Sequence, residues 1–512
     1  MAFRSMKTQP LISDELKQGI ILPMLLAIGA VLVSFLWQGH MGISTADEGY
    51  LWYGAQRVML GEVPVRDFYS YDPGRYYWVA MIMALLRSDG IIALRIANAI
   101  TQAMGLFLAL FLLGRTAKKR SFLFSLAATI ILIFWMFPWF KLFDISLSIV
   151  LIGILSFLIE RPTRRRYFLT GLYVGFIAAL CRQQGTFGAM GSLGSMVYLA
   201  LKRQQGPGFA AGFLIWFGGV ITGYLPVFLM LALVPGYALA FWDSLHVYSF
   251  LPLAVPWPWL APFGRASVGA VVRWMLSGLF FMAPVIFGVV GMAWTIFQKF
   301  RQRSTPSVLV ASAFLSLPYA LYVFVAPDVS RLGLGLFPFL MGFLTMLNNL
   351  RARAKWLLVW GLCAASILVM LPNHPGWSRK RYVEIDLSGD RLKIYPADAA
   401  FFTMLNKLAK DYAPNGRGFI ALPRFATSYA ALRRKSPMYD IYSLFPRSKD
   451  FQLSEIRRIE LSNPGFAVID DNPGFMRFRD IRPIIFQYIL NNFEPLPGYA
   501  ELPGYLLFKS KQ

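Results

Sequence analysis

The chain has 512 residues, 57% of them hydrophobic and only 15% charged, and carries a formal net charge of +24. Its apolar residues fall in long runs instead of helical stripes, which excludes an ordinary soluble enzyme. The charge does not point to nucleic acid, because the Lys and Arg residues sit in short clusters between apolar runs and form no basic stripe interleaved with aromatics.

The start, MAFRSMKTQPLISDELKQG, is polar, and the run behind it near 19–36 lacks a small-residue cleavage site, so it reads as an uncleaved signal anchor and first span. Further runs lie near 91–113, 121–138, 142–159, 167–181, 186–201, 209–234, 270–297, 307–326, 332–349 and 355–371. They bring the total to about eleven spans, each helical because lipid offers no partner to a free backbone amide. With a cytoplasmic N-terminus, every basic cluster faces inside: Arg115 with Lys118, Lys119 and Arg120; Arg161 with Arg164, Arg165 and Arg166; Lys202 with Arg203; Lys299 with Arg301 and Arg303; and Arg351 with Arg353 and Lys355. The apolar segment 76–86 is too short to span and would invert this pattern if counted, so it is placed flat on the outer surface as an interfacial or re-entrant helix.

The first outer loop then runs over about 37–90. It holds Asp47, Glu48, Glu62, Asp67 and Asp72 against Arg57, Arg66 and Arg75, an unusual density beside lipid. A carboxylate such as Asp47 or Glu48, just past the first span, is placed to be partly desolvated and to act as a general base. Composition alone favours a solvated loop with surface ion pairs. Arg66 and Arg75 offer planar forks for phosphate, or anchors for lipid headgroups, on a stretch held in turns by Gly61, Pro64, Pro73 and Gly74.

Downstream, Lys141 and Asp144 stand at the outer start of a span, where a functional role and helix capping explain them equally well. Arg182, Gln183 and Gln184 form a polar knot in a hairpin that needs only turn residues, which favours ligand or loop contact. Asp328 and Arg331 form another outer pair, readable as a local ion pair. Gly185, Gly188, Gly191 and Gly194 suit close helix packing, and PWPWLAP at 256–262 suits an interfacial loop. Cys181 and Cys363 form no disulfide framework or metal site, and His40, His246 and His374 are scattered. No sequence repeat supports a transporter built on inverted halves. The tail, 372–512, alternates helical stretches at 396–413 and 479–493 with strands GFIALP, FAVIDD and YLLFKS, and reads as a small extracytoplasmic α/β domain.

A first span, then Asp-Glu, a helix, Gly-x-x-Pro-x-Arg-Asp-Phe and Pro-Gly-x-Tyr-Tyr is a pattern that resembles the bacterial relatives of protein O-mannosyltransferases and lipid A aminoarabinose transferases, in the GT-C superfamily of polyprenyl-phosphate-sugar glycosyltransferases. The likeness covers about 19–349 by the span reading and is densest over 46–77. It implies a GT-C-like membrane domain, drawn over 1–371, beside the α/β domain that the pattern of the tail gives over 372–512. It also implies Asp47 as the catalytic or acceptor-orienting carboxylate, supported by Glu48, with Asp144 as the acid of the second outer loop.

The same resemblance implies a donor and acceptor site drawing on Arg66, Asp67, Tyr71, Arg75, Lys141, Arg182, Gln183, Gln184 and Arg331, with Arg331 on the donor phosphate. Where aminoarabinose transferases carry Lys-Pro-Pro, this chain has Asp72-Pro73-Gly74, so the phosphate-holding lysine is absent and Arg75 or Arg66 is its candidate substitute. The implied activity is inverting transfer, in a bacterial inner membrane, from a polyprenyl-phosphate sugar to a lipid, glycan or protein acceptor. A divalent metal is compatible with such chemistry, but the residues do not indicate one. The competing readings are a transporter or flippase for a lipid-linked sugar and a non-catalytic membrane scaffold.

Overall fold

The computed structural model describes residues 17–117, 121–201, 206–246, 267–325, 328–377, 381–443, 445–471, 477–498, 502 and 504–511. Lys118, Lys119, Arg120, Lys202, Arg203, the segment 256–262 and the side chain of His246 lie outside the described set.

Helices follow the apolar runs in chain order: α1 (Leu22–Gln38), α2 (Asp47–Met59) and α3 (Pro73–Leu85) in the first loop, α4 (Ile91–Thr116), α5 (Phe122–Trp135), α6 (Leu142–Glu160), α7 (Arg164–Leu180) and α8 (Arg182–Ala200). After them come α9 (Phe209–Gly223), α10 (Leu225–Leu233), α11 (Tyr237–His246), α12 (Val268–Phe300), α13 (Ser307–Val325), α14 (Val329–Asn348) and α15 (Ala352–Met370). Each of the eleven expected runs has a helix, but only 7 described helices are long and apolar enough to cross a membrane, and the pair α9 and α10, bent by 49°, makes up to 8. The shortfall has physical causes. Helix α5 has only 14 residues. Helix α7 opens on three arginines, and α8 spends four positions on glycine and three on Arg182, Gln183 and Gln184.

Glycines set the closest helix contacts. Gly185 abuts Ala178, Gly188 abuts Leu151, Gly191 abuts Leu315 and Gly194 abuts Phe314, so the expected packing role holds at all four. The α7–α9 contact is tighter. A Cβ on Gly175 would lie 2.1 Å from the Val220 carbonyl oxygen, and one on Gly219 would lie 2.2 Å from that of Phe168. Backbone cannot yield as a side-chain tip does, so Gly175→Ala and Gly219→Ala should each cost about 1–3 kcal/mol by overpacking. Gly218→Ala, with nothing within 4 Å of its Cβ, serves as the control. Thermal unfolding in detergent should separate the first two from the third.

Helix α3 is 13 residues long, about 20 Å, too short for a hydrocarbon core of about 30 Å. Tyr77, Met81 and Leu85, at i, i+4 and i+8, are exposed, while Tyr76, Val79, Ala80 and Met83 are buried. An apolar stripe of this kind on an otherwise packed helix is the pattern of a helix lying on a membrane surface.

The tail forms a hairpin, β1 (Val383–Leu387) with β2 (Asp390–Ile394), and a second sheet of β3 (Ile420–Leu422), β4 (Phe466–Asp470), β5 (Phe493–Pro495) and β6 (Tyr505–Ser510) in the order β3-β4-β6-β5. Strands β3 and β4 are parallel and the other pairs antiparallel. The three expected strands are β3, β4 and β6. Around them lie α16 (Pro396–Tyr412), α17 (Ala426–Ala431), α18 (Lys449–Ser462), α19 (Phe478–Ile481) and α20 (Pro483–Asn492).

Tail and first loop share one hydrophobic core, in which Tyr50, Trp52, Tyr53, Phe68 and Tyr76 pack with Phe401, Phe402, Phe425 and Tyr429. At its seam a Cβ on Gly49 would fall 1.7 Å from Thr427 Oγ1, which itself donates to the Thr45 carbonyl at 2.7 Å.

The tail also buries charge. Arg482 pairs with Asp440, and Glu455 accepts from the Asp440 N–H at 3.0 Å. Burial pushes the Glu455 carboxyl up from its ordinary 4.5 to about 7. A raised carboxyl pKa means that the folded state holds its proton longer than the unfolded chain does. Stability from this group is therefore present in full below about 4.5 and is lost as pH rises through about 7. Glu455→Gln should flatten the fall in melting temperature across that window.

Candidate functional site

Asp47 is the first residue of α2, where the positive end of the helix favours a carboxylate. Its carboxylate accepts from the Tyr442 hydroxyl at 2.7 Å and lies 3.7 Å from Arg331 Nη2, with 19% of the side chain exposed. Burial and the adjacent Asp47 charge hold the Tyr442 hydroxyl well above its ordinary pKa, so it stays protonated and donates. Arg331 is 44% exposed and has turned from its sequence neighbour. The expected local pair with Asp328 does not form, because the Asp328 carboxylate caps α14 through the Ser330 N–H.

Glu48, one residue on, points the other way. Arg95, on α4, grips it in a bidentate pair at 2.7 and 2.9 Å and also donates to the carbonyls of Gly39 and Gly42. Both side chains are almost fully buried. Glu48, expected to support Asp47 and one residue from it, is thus tied through Arg95 to the chain at the end of α1.

A second polar group lies where the N-terminal ends of α3, α6 and α8 meet the C-terminal end of α7. Asp72 occupies the N-cap of α3 but makes no capping bond. Its carboxylate accepts instead from Arg182 Nε at 2.9 Å and from the Arg182 backbone N–H at 3.1 Å. Arg75 reaches Asp144 and the Cys181 sulfur, each at 3.1 Å, and comes within 3.5 Å of Asp72. Arg182 also donates to Ser244 and to the Tyr71 carbonyl. Two acids face two guanidiniums in this knot, so its charges cancel, as a buried network requires. Arg75, a candidate for donor phosphate, and Arg182, expected in the donor and acceptor site, are thus committed largely to Asp72 and Asp144. Lys141, half-buried in the turn before α6, lies over the Phe140 ring.

Tyr50 joins the two groups, its ring 5.1 Å from Tyr442 and 5.2 Å from Tyr71. The structure therefore gathers Asp47, Tyr71, Arg75, Lys141, Asp144, Arg182 and Arg331 at one end of the bundle. It leaves Arg66 and Asp67 apart, paired with each other at 2.8 and 2.7 Å. Gln183 is exposed, and Gln184 is buried beneath the knot, accepting from Tyr319. The opposite end holds the basic side: Arg115 and Arg166 both approach Glu160.

Sequence reasoning missed Arg95, Cys181 and Tyr442. A charge inside an apolar run is itself a signal and would have found Arg95. No signal marks Tyr442. Among the described residues no three His, Cys, Asp or Glu side chains converge as a metal site.

The fold so assembled is similar to that of a solved membrane protein. The crystal structure of ArnT from Cupriavidus metallidurans bound to undecaprenyl phosphate superposes with a TM-score of 0.53 at 11% identity, over 96% of this chain and 98% of that one. At that identity the likeness speaks for the fold alone. The apo oligosaccharyltransferase of Archaeoglobus fulgidus overlaps at a TM-score of 0.43 and 12% identity, over 88% of this chain and 69% of that one, too loosely to bear on the fold. No family model matches the chain, and no curated protein sequence matches it.

Proposed function

We propose that this protein is an inverting membrane glycosyltransferase that moves a sugar from a polyprenyl phosphate to an extracytoplasmic acceptor. The observation that carries the reading is the contrast between two adjacent carboxylates. Glu48 is consumed by Arg95, whereas Asp47 keeps solvent access, a hydroxyl partner and an exposed arginine 3.7 Å away.

In this reading the acceptor hydroxyl attacks the anomeric carbon, its proton passes to Asp47, and the sugar–phosphate bond breaks with the carrier phosphate as leaving group. Arg331 and Lys141 offset the charge that develops on that phosphate, while the neutral Asp72–Arg75–Asp144–Arg182 knot holds the floor rigid. The clustering of basic residues at the Arg115 and Arg166 end supports a cytoplasmic assignment for that end under the positive-inside rule, and with it a site on the outer side of a bacterial inner membrane. ArnT in its crystal structure holds undecaprenyl phosphate; an isoprenoid phosphate carrier is the donor chemistry that fits this fold.

A transporter reading draws support from the 49° break between α9 and α10, since transporters use interrupted helices. The break here, Gly223 to Pro226, carries no charged residue, so transfer is the better account. Mass spectrometry of envelope glycolipids and glycoproteins from a deletion strain should show one glycoform missing. An unchanged inventory contradicts the enzyme reading.

A further inference from the structure

Residues 436–443 of the tail run across the first loop and are bonded to it at four separate points. The Ser436 N–H donates to the Tyr53 hydroxyl at 3.0 Å, and the Tyr439 carbonyl accepts from the Tyr69 N–H at 2.9 Å. The Tyr439 hydroxyl donates to the Val65 carbonyl at 2.6 Å, and the Tyr442 hydroxyl donates to Asp47 at 2.7 Å. The far side of the same segment is pinned within the tail. The Asp440 N–H donates to Glu455, the Asp440 carboxylate pairs with Arg482 and takes the Tyr442 N–H at 3.4 Å, and the Ser443 N–H reaches the Pro423 carbonyl at 2.9 Å. Arg447 stands 3.9 Å from Asp440 as a second cation.

These contacts have a common consequence. Asp47 sits at the first position of a helix, the part of a helix least held by its own hydrogen bonds. Besides Tyr442, the Asp47 backbone N–H donates to Ser44, and Arg331 stands 3.7 Å from the carboxylate. The hydroxyl from the tail is the short bond on its carboxylate.

We propose that segment 436–443 is a positioning strap: through Tyr442 it fixes the Asp47 carboxylate, and the buried Asp440–Arg482–Glu455 group behind it fixes Tyr442. Tyr442 is then a positioning residue, acting through Asp47, and the tail completes the site as well as flanking it. The proposal rests on the transferase reading for its kinetic consequence, while its structural consequence stands apart from that reading.

The test compares the full-length protein in nanodiscs with its Tyr442→Phe variant, which removes one oxygen from a ring already packed against Tyr50. Amide hydrogen exchange should rise at 44–50 and stay unchanged in β4. With a polyprenyl-phosphate sugar as donor, kcat should fall about 10- to 100-fold, as for a misplaced reacting group, with KM within about two-fold. Asp440→Asn, which keeps the acceptor for the Tyr442 N–H, should give a smaller change of the same kind. Unchanged exchange at 44–50 in Tyr442→Phe overturns the strap, as does a rise in KM at constant kcat, which would put the hydroxyl on substrate. If no polyprenyl-phosphate sugar supports transfer by the wild type, the transferase reading falls, and the exchange result alone still decides the strap.

Discussion

Asp47→Asn should lower sugar transfer by about 10²- to 10⁴-fold, the contribution of a general base, while leaving the protein folded. The substitution exchanges one oxygen for nitrogen, so the amide oxygen still accepts from Tyr442. The ion pair it touches is not buried: Arg331 stands 3.7 Å away and is 44% exposed. The loss should therefore appear in kcat, with the melting temperature lowered by no more than corresponds to about a few tenths of a kcal/mol, the contribution of a carboxylate at a helix N-terminus. Transfer rates and thermal melts on the same preparation check both halves. A variant that transfers at the wild-type rate removes the role assigned to Asp47.

One residue further along, the opposite outcome is expected. Arg95→Leu should destabilise the protein by about 3–5 kcal/mol, because it strands the Glu48 carboxylate in an interior that excludes water. Glu48 is 2% exposed and Arg95 1%. Replacing both with Leu should recover only part of the loss. Arg95 also satisfies the Gly39 and Gly42 carbonyls at the end of α1, and these stay unpartnered in the double variant. Melting temperature and monodispersity in detergent report the effect. Equal melts for wild type and Arg95→Leu would show that the pair contributes nothing to the fold.

These two neighbours also mark how far sequence reasoning reaches. The spans were legible because hydrocarbon demands apolar runs, and the outer polar residues were legible because a charge beside lipid needs a reason. Which carboxylate stays available was not. Asp47 and Glu48 differ by a rotation of about 100° on α2, and only the path of α4 decides which of them meets Arg95. Tyr442 lies nearly 400 residues from Asp47 in a segment without periodicity, so no local pattern announces it. The hairpin of β1 and β2 is another matter. Its turn, Ser388-Gly389, takes positive φ at both residues, and the Ser-Gly pair between VEIDL and DRLKI was a readable signal. Cys181 offered no disulfide or metal site in the sequence, and in the fold it touches both Arg75 and Asp144, an encounter set by three separate helices.

The central claim is transfer from a polyprenyl phosphate carrier. Its most direct test is to incubate the purified protein, in nanodiscs, with a polyprenyl-phosphate sugar and an envelope glycolipid extract, then to follow free polyprenyl phosphate by mass spectrometry and the anomeric configuration of the product by NMR. The account predicts stoichiometric release of polyprenyl phosphate, inversion at the anomeric carbon, and loss of both signals in Asp47→Asn. Donor that crosses the membrane intact, or is released at the same rate by wild type and Asp47→Asn, would contradict it.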